Sequence, residues 1–314
     1  MKEHNELTLH EILDVISDFA GLGGRILELS GGEPIAFPDL REVMRHGNSL
    51  GLEIRVYTSG VERFSGGIAR APPKAFWEYL QSDGLAKIFL NLQGPDSVAH
   101  ESITRIPGSF SAALESLRHA KDAGLFVGIH FVPMKPNFEQ LADTARLTAR
   151  LGADEFAVLR FVAQGRGFDN KDSLMLDSDE FSRLLRTAIA VRDCITGIKI
   201  RLGCPFNHRA TLGDSGDLVE CKAGVQVCHI RPTGEVVPCS AFQSGNLVLG
   251  NLHEASLRDL WTRSIAWTRF REAQRKGPTP GMLPFISEFG DPCLAQISNG
   301  DGRVVGESRA TAKV

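Results

Sequence analysis

Six cysteines, at positions 194, 204, 221, 228, 239 and 293, lie in the later part of the chain, and none precedes residue 194. In a reducing compartment such clustering favours a metal over disulfides. Zinc modules usually present close Cys-x2–4-Cys pairs, and this sequence has none, which ranks iron–sulfur above zinc and leaves plain thiols as a third reading. Cys194 falls in a helical stretch and reads as a small buried apolar residue. A second place for chemistry is Gly31-Gly32-Glu33-Pro34. Two glycines allow a sharp turn and a close approach of backbone to ligand, Glu33 offers a carboxylate to an ammonium, and Pro34 fixes the exit of the loop. Taken alone, the same four residues describe an ordinary tight turn. His130 reads as a hydrogen-bonded core histidine and Gly165-Arg166-Gly167 as a surface loop, unless their surroundings say otherwise.

These residues need a scaffold. Thr8 and Glu11 form a capping box before Ile12, Val15, Ile16 and Phe19 at helical spacing, which predicts a helix over 9–20. Gly21, Gly23 and Gly24 end it, and 25–30 reads as a strand. The alternation then continues with helices near 39–50 (capped by Asp39), 74–82, 110–122, 138–150 and 178–192, and strands at 53–57, 87–92, 126–132 and 155–160. Strands alternating with helices predict a parallel sheet with right-handed crossovers, and functional groups belong at the C-terminal ends of its strands. After residue 197 the pattern changes to a short strand at 198–202, the cysteines, a hairpin over 228–239, and helices near 256–263 and 265–275. The expected division is therefore 1–197 for the α/β domain, 198–297 for a cysteine-containing domain, and 298–314 for a Gly-, Ser- and charge-rich tail.

A hydrophobic content of 42% with 23% charged residues supports a buried core. The net charge of −3 offers no basic field for nucleic acid, and no apolar stretch reaches a membrane span. Small molecules or peptides are the expected partners, in the cytoplasm.

The order strand, Gly-Gly-Glu-Pro, helix, and a strand ending Thr58-Ser59-Gly60 resembles the radical S-adenosylmethionine (SAM) superfamily. The resemblance extends through Asn91-Leu92-Gln93-Gly94, Arg105 followed by Gly108-Ser109-Phe110, the strand at 128–134, and Arg160 before Gly165-Arg166-Gly167. It implies a partial (β/α)6 TIM-like barrel of α/β class. Gly31, Gly32, Glu33 and Pro34 would receive the methionyl amino group of SAM. Thr58, Ser59, Asn91, Gln93 and Arg160 would line the same site, and Arg105 would hold the SAM carboxylate.

The family's radical-generating [4Fe–4S] cluster is held by Cys-x3-Cys-x2-Cys upstream of Gly-Gly-Glu-Pro, and the 30 residues before Gly31 contain no cysteine. The preferred reading is a chain that starts after the first barrel strand and its cysteine loop, which would leave it inactive and the strand at 25–30 an unprotected sheet edge prone to self-association. The alternative is a cluster-less SAM- or peptide-binding scaffold. A metal-independent barrel lyase lacks an evident catalytic lysine or carboxylate pair. The C-terminal pattern resembles the SPASM/twitch module, which implies one auxiliary [4Fe–4S] cluster on Cys204, Cys221, Cys239 and Cys293, with Cys228 as the alternative ligand. Aligned back from Cys293, the ligand places of a second cluster fall on Pro280, Leu283 and Phe289 and carry no thiols. The resemblance further implies hydrogen abstraction from a peptide or small metabolite and a reducing partner such as flavodoxin or ferredoxin.

Overall fold

The computed structural model describes residues 5–63, 67, 69–163, 166–202, 222–242 and 247–275. It contains two compact units, one made of Leu7–Phe161 with Asp179–Gly203, the other of Met1–Glu6, Val162–Ser178 and Cys204–Val314.

The first unit is built on a six-stranded parallel sheet. Its strands, β1 (Ile26–Leu29), β2 (Glu53–Thr58), β3 (Leu85–Asn91), β4 (Phe126–Phe131), β5 (Glu155–Val158) and β6 (Lys199–Leu202), are hydrogen-bonded in that sequential order. The helices are α1 (Leu9–Gly21), α2 (Leu40–Ser49), α3 (Lys74–Ser82), α4 (Ser97–Thr104), α5 (Ser109–Asp122), α6 (Leu141–Arg150) and α7 (Ser178–Cys194). Sequential order with a crossover helix between neighbours is what an unbroken series of βα units produces. The capping box forms as the sequence predicts, with Glu11 N–H donating to Thr8 Oγ1 at 3.3 Å and Thr8 N–H to Glu11 at 2.7 Å.

Four expectations change. The strand at Lys199–Leu202 pairs with β5 and completes the sheet, so the α/β unit extends to Gly203 instead of ending at 197, while Val162–Ser178 joins the other unit. Asp39 precedes α2 but makes no capping hydrogen bond, since its φ of −98° and ψ of 13° are not those of an extended cap. Helix α4 escaped the periodicity because its exposed face includes Val98. Cys194 is exposed: it ends α7 beyond the buried stripe of Leu184, Leu185, Ala188 and Val191.

Strand alternation gives the sheet two chemically different faces. Leu27, Ile54, Val56, Ile88, Leu90, Val127, Ile129 and Phe131 turn toward the helices. A Cβ on Gly47 of α2 would meet Ile54 and Leu27 at 2.8 and 3.1 Å, which shows how closely α2 sits on that face. The register places Glu28, Arg55, Tyr57, Lys87, Phe89, His130, Glu155, Ala157, Lys199 and Arg201 on the opposite, inner face. Among the described residues β1 pairs with β2 alone, and Ile26 is exposed.

The second unit carries an antiparallel sheet of β7 (His229–Ile230), β8 (Glu235–Val237) and β9 (Gly250–Asn251), in the order β9-β8-β7, with helices α8 (Leu257–Arg263) and α9 (Ile265–Arg275). Its core includes Val236, Val237, Phe242 and Trp267, all nearly inaccessible. Gly234 turns the β7–β8 hairpin at φ +80°.

Candidate functional site

The loop after β1 is held by its own carboxylate. Glu33 is half-buried and precedes a 3-10 turn at Pro34–Ala36. One of its oxygens accepts the hydroxyl of Thr58, and the other accepts the hydroxyl and, at 3.0 Å, the backbone N–H of Ser59. Thr58 and Ser59 sit at the C-terminal end of β2, so the β1–β2 pairing itself brings these three groups together. The Thr-Ser-Gly order has a reason in packing: Gly60 has φ +68°, and a Cβ there would come within 2.7 Å of Leu90 and 3.2 Å of Ser116. Gly31 (φ +131°) and Gly32 are exposed, and a Cβ at either would meet nothing within 4 Å. Bare backbone beside a carboxylate of fixed orientation is a fitting receptor for an ammonium-bearing ligand, because charge-assisted hydrogen bonds reward preset geometry.

The next strand end differs. Gln93 is buried, with its backbone N–H donating to His100 Nδ1 at 3.1 Å. Its side-chain oxygen accepts from the Val132 N–H at 3.2 Å and from Asn137 Nδ2 at 3.5 Å. Asn137, 1% exposed, also donates to the carbonyls of Gln93 and Val132 and accepts from the Met134 N–H at 2.7 Å. Burial pushes His100 down to about 4, so its imidazole stays neutral and can accept. Gln93, expected to face SAM, therefore ties the end of β3 to the loop after β4. Asn91 and Arg105 are exposed. Arg105 closes α4 in the left-handed region at φ +58°, the sole positive φ outside glycine among the described residues. Arg160 lies two residues beyond β5 and is half-buried.

The inner face carries charges that motif reading passed over. Glu53 bridges Arg55 at 2.7 Å and Lys87 at 3.0 Å, and the hydrogen bond from Lys87, supported by Arg55, holds its carboxyl below the usual range. Burial pushes the Glu155 carboxyl up, but Arg201 at 2.6 Å and Lys199 at 3.3 Å outweigh this and hold it below the usual range. Tyr57 donates to Glu28, and burial together with that carboxylate raises its phenol. Period-2 alternation in β2 (Glu53-Ile54-Arg55-Val56-Tyr57-Thr58) and β6 (Lys199-Ile200-Arg201-Leu202) was the signal that could have located the charges of those two strands, whereas β3 and β5 do not alternate and gave none.

In the second unit, Cys239 follows β8, delivered by the hairpin as expected. Gly224 N–H donates to Pro238 O at 3.0 Å, so the turn that follows Cys221 is fastened to the residue before Cys239. Burial pushes the Cys228 thiol up to about 11, against the pull of Arg271. Cys204, Cys221, Cys293 and the expected tail lie outside the described residues, so the ligand set for a cluster is not brought together here.

Comparison with known proteins bears on both units. Residues 1–148 match the radical SAM superfamily, and residues 221–281 match an iron–sulfur cluster-binding domain, SPASM. The chain is 25% identical to the AdoMet-dependent heme synthase of Methanosarcina barkeri over 86% of its own length and 77% of the relative's. It is 27% identical to the PqqA peptide cyclase of Methylocella silvestris (85% and 68%) and to the mycofactocin maturase MftC of Mycobacterium tuberculosis (88% and 68%). Among solved structures, Streptococcus suis SuiB bound to S-adenosylmethionine aligns with a TM-score of 0.72 at 16% identity, over 95% of this chain and 68% of that one. Native anSMEcpe with bound AdoMet aligns at 0.69 and 12% identity, over 97% and 85%. At these identities the two structures speak for the fold. No described helix is long and apolar enough to cross a membrane.

Proposed function

We propose that this chain, which belongs to the radical SAM superfamily of enzymes and carries an iron–sulfur cluster-binding SPASM domain, binds SAM at the end of β1 and β2 and acts on a peptide. SAM and [4Fe–4S] clusters are the cofactors that these two domains imply, and together they supply hydrogen abstraction. The observation that carries the reading is the Glu33 carboxylate, fixed by Thr58 and Ser59 beside the open backbone of Gly31 and Gly32. In this reading Glu33 accepts from the SAM ammonium, the glycine backbone admits the methionyl group, and Arg105 faces its carboxylate. The inner face below holds the substrate away from bulk water.

A peptide is favoured over a small metabolite because two of the relatives are named for peptide cyclisation or mycofactocin maturation, and a structural neighbour is described as bound to a precursor peptide. The auxiliary cluster is assigned to Cys204, Cys221, Cys239 and Cys293. Its support in the fold is the fastening of Gly224 to Pro238, which runs the turn after Cys221 alongside the approach to Cys239. Cytoplasmic residence and an electron donor of the flavodoxin or ferredoxin type complete the proposal. Residues 1–193 contain no cysteine, so none of them is assigned to the radical-generating cluster.

Calorimetry with SAM tests the first half: saturable binding that disappears in Glu33→Ala is expected, and absence of binding to the unaltered chain would refute it. Anaerobic reconstitution with iron and sulfide tests the second. About four irons per chain are expected, lost in Cys221→Ala and in Cys239→Ala, whereas zinc without sulfide would overturn the assignment.

A further inference from the structure

Strand β1 stands at the end of the parallel sheet, and among the described residues it pairs with β2 and with nothing else. That pairing fixes where its remaining backbone groups point. Glu53 N–H donates to Arg25 O at 2.9 Å, and the register sets Ile26 against Glu53 and Glu28 against Arg55. In a parallel ladder alternate residues face the neighbouring strand, so Leu27 and the residues two away from it, Arg25 and Leu29, serve β2. The N–H and C=O groups of Ile26 and Glu28 are directed out of the sheet. Ile26 is 39% exposed and the Glu28 side chain 53%, so this edge is open to solvent.

The layer behind the edge is also incompletely covered. Helix α1 lies on the outer face beside β1, since Ile16 of α1 and Leu27 of β1 both approach Gly47 of α2, at 3.9 and 3.1 Å from where its Cβ would stand. The helix presents Leu9, Ile12, Leu13, Val15 and Phe19, yet Ile16 is the one residue of its thirteen that is buried, whereas α5 buries six of fourteen.

An edge strand with outward-facing backbone groups and a partly bare apolar flank is a template for another strand. A second copy of β1 matches it. Antiparallel pairing about a two-fold axis through Leu27 sets Ile26 of each copy opposite Glu28 of the other, and each such pair exchanges N–H and C=O groups in both directions. Every outward group is then used. The neighbouring registers do worse. Setting Ile26 on Ile26 would bring Glu28 to Gly24, whose N–H is already given to Phe19 O at 2.9 Å. Setting Glu28 on Glu28 would place two carboxylates face to face, which is destabilising. Because the axis is perpendicular to the sheet, both outer faces stay on one side and the two α1 helices flank the seam together.

We propose that β1 is a dimerisation edge: two copies of this chain join β1 to β1, antiparallel, with Leu27 at the two-fold axis, into one continuous sheet. The inference stands apart from SAM binding. It gives the unprotected edge expected from the sequence a definite partner and register.

The test is size-exclusion chromatography with light scattering on the whole 314-residue chain under reducing conditions, followed over dilution. The expected result is the mass of two chains at high concentration, falling to that of one on dilution. Ile26→Glu sets a second carboxylate opposite Glu28 of the other copy and should weaken the dimer by about fivefold or more, whereas Ile26→Lys, which sets an ammonium there, should bind as tightly or more tightly. Ile26→Pro removes an N–H that the single chain does not use and should weaken the dimer by about tenfold or more. Far-UV circular dichroism checks that each variant is folded, and the Glu and Lys variants decide the matter if the Pro variant does not fold. The mass of one chain at every concentration would overturn the proposal, as would larger assemblies with no two-chain species. Equal effects of Ile26→Glu and Ile26→Lys, or unchanged dimerisation of a folded Ile26→Pro, would also overturn it by placing the contact elsewhere.

Discussion

Two neighbouring strand ends, each carrying polar residues that the sequence places at a ligand site, have been built for different work. At the end of β1 and β2, the Glu33 carboxylate is oriented by Thr58 and Ser59 but remains half-buried beside two exposed glycines. At the end of β3 and β4, Gln93, His100 and Asn137 are all buried and direct their hydrogen bonds at one another and at the backbone. The first arrangement fixes a charge and leaves room for its counter-ion. The second closes a loop. Polar residue type does not separate them; burial and the direction of the hydrogen bonds do.

If that division is right, substitutions at the two ends should separate binding from stability. Asn137→Leu leaves the carbonyls of Gln93 and Val132 and the Met134 N–H without their partner, which should lower unfolding stability by about 2–4 kcal/mol in urea titrations. The folded fraction of that variant should still bind SAM within a few-fold of the unaltered chain. Glu33→Ala should act mainly on binding, lowering SAM affinity by about 100-fold, close to 3 kcal/mol, with a smaller loss of stability of about 1 kcal/mol from the Thr58 and Ser59 groups it leaves unpaired.

Acid should act on the second end. His100 titrates near 6.5 when unfolded and about 4 when folded, so the unfolded state binds more protons between these values. Stability is then unaffected above pH 6.5 and falls as pH drops toward 4, by about 2 kcal/mol at pH 5 from this residue, with His130 contributing in the same direction. Urea unfolding at pH 7 and pH 5 checks this. In His100→Gln, the part of that loss due to His100 should vanish. Smallest of all, Ser59→Ala removes one hydroxyl from Glu33 and leaves the backbone N–H in place, which should cost SAM affinity about tenfold, or roughly 1.4 kcal/mol.

The βα alternation was legible because each element carries its own period and its own stops, and α1 is the clearest instance, with Thr8 and Glu11 announcing its start. Gly31-Gly32-Glu33-Pro34 and Thr58-Ser59-Gly60 were legible as a pair because they lie at the ends of adjacent strands. The partners of Gln93 were not, since Asn137 is 44 residues away and its role depends on how the loop after β4 folds back. The ion pairs of the inner face were hidden for a related reason. Glu155 and Arg201 are separated by 46 residues and meet only because β6 joins the sheet, a strand whose four residues look from sequence like the start of the cysteine-bearing region.

Calorimetric titration of SAM into the unaltered chain, Glu33→Ala and Asn137→Leu separates the two strand ends most directly. The division between the strand ends predicts loss of SAM binding in Glu33→Ala with most of the stability retained, and retained binding in Asn137→Leu with stability more strongly reduced. Equal SAM affinity in the unaltered chain and Glu33→Ala, or loss of SAM binding in a folded Asn137→Leu, would contradict it.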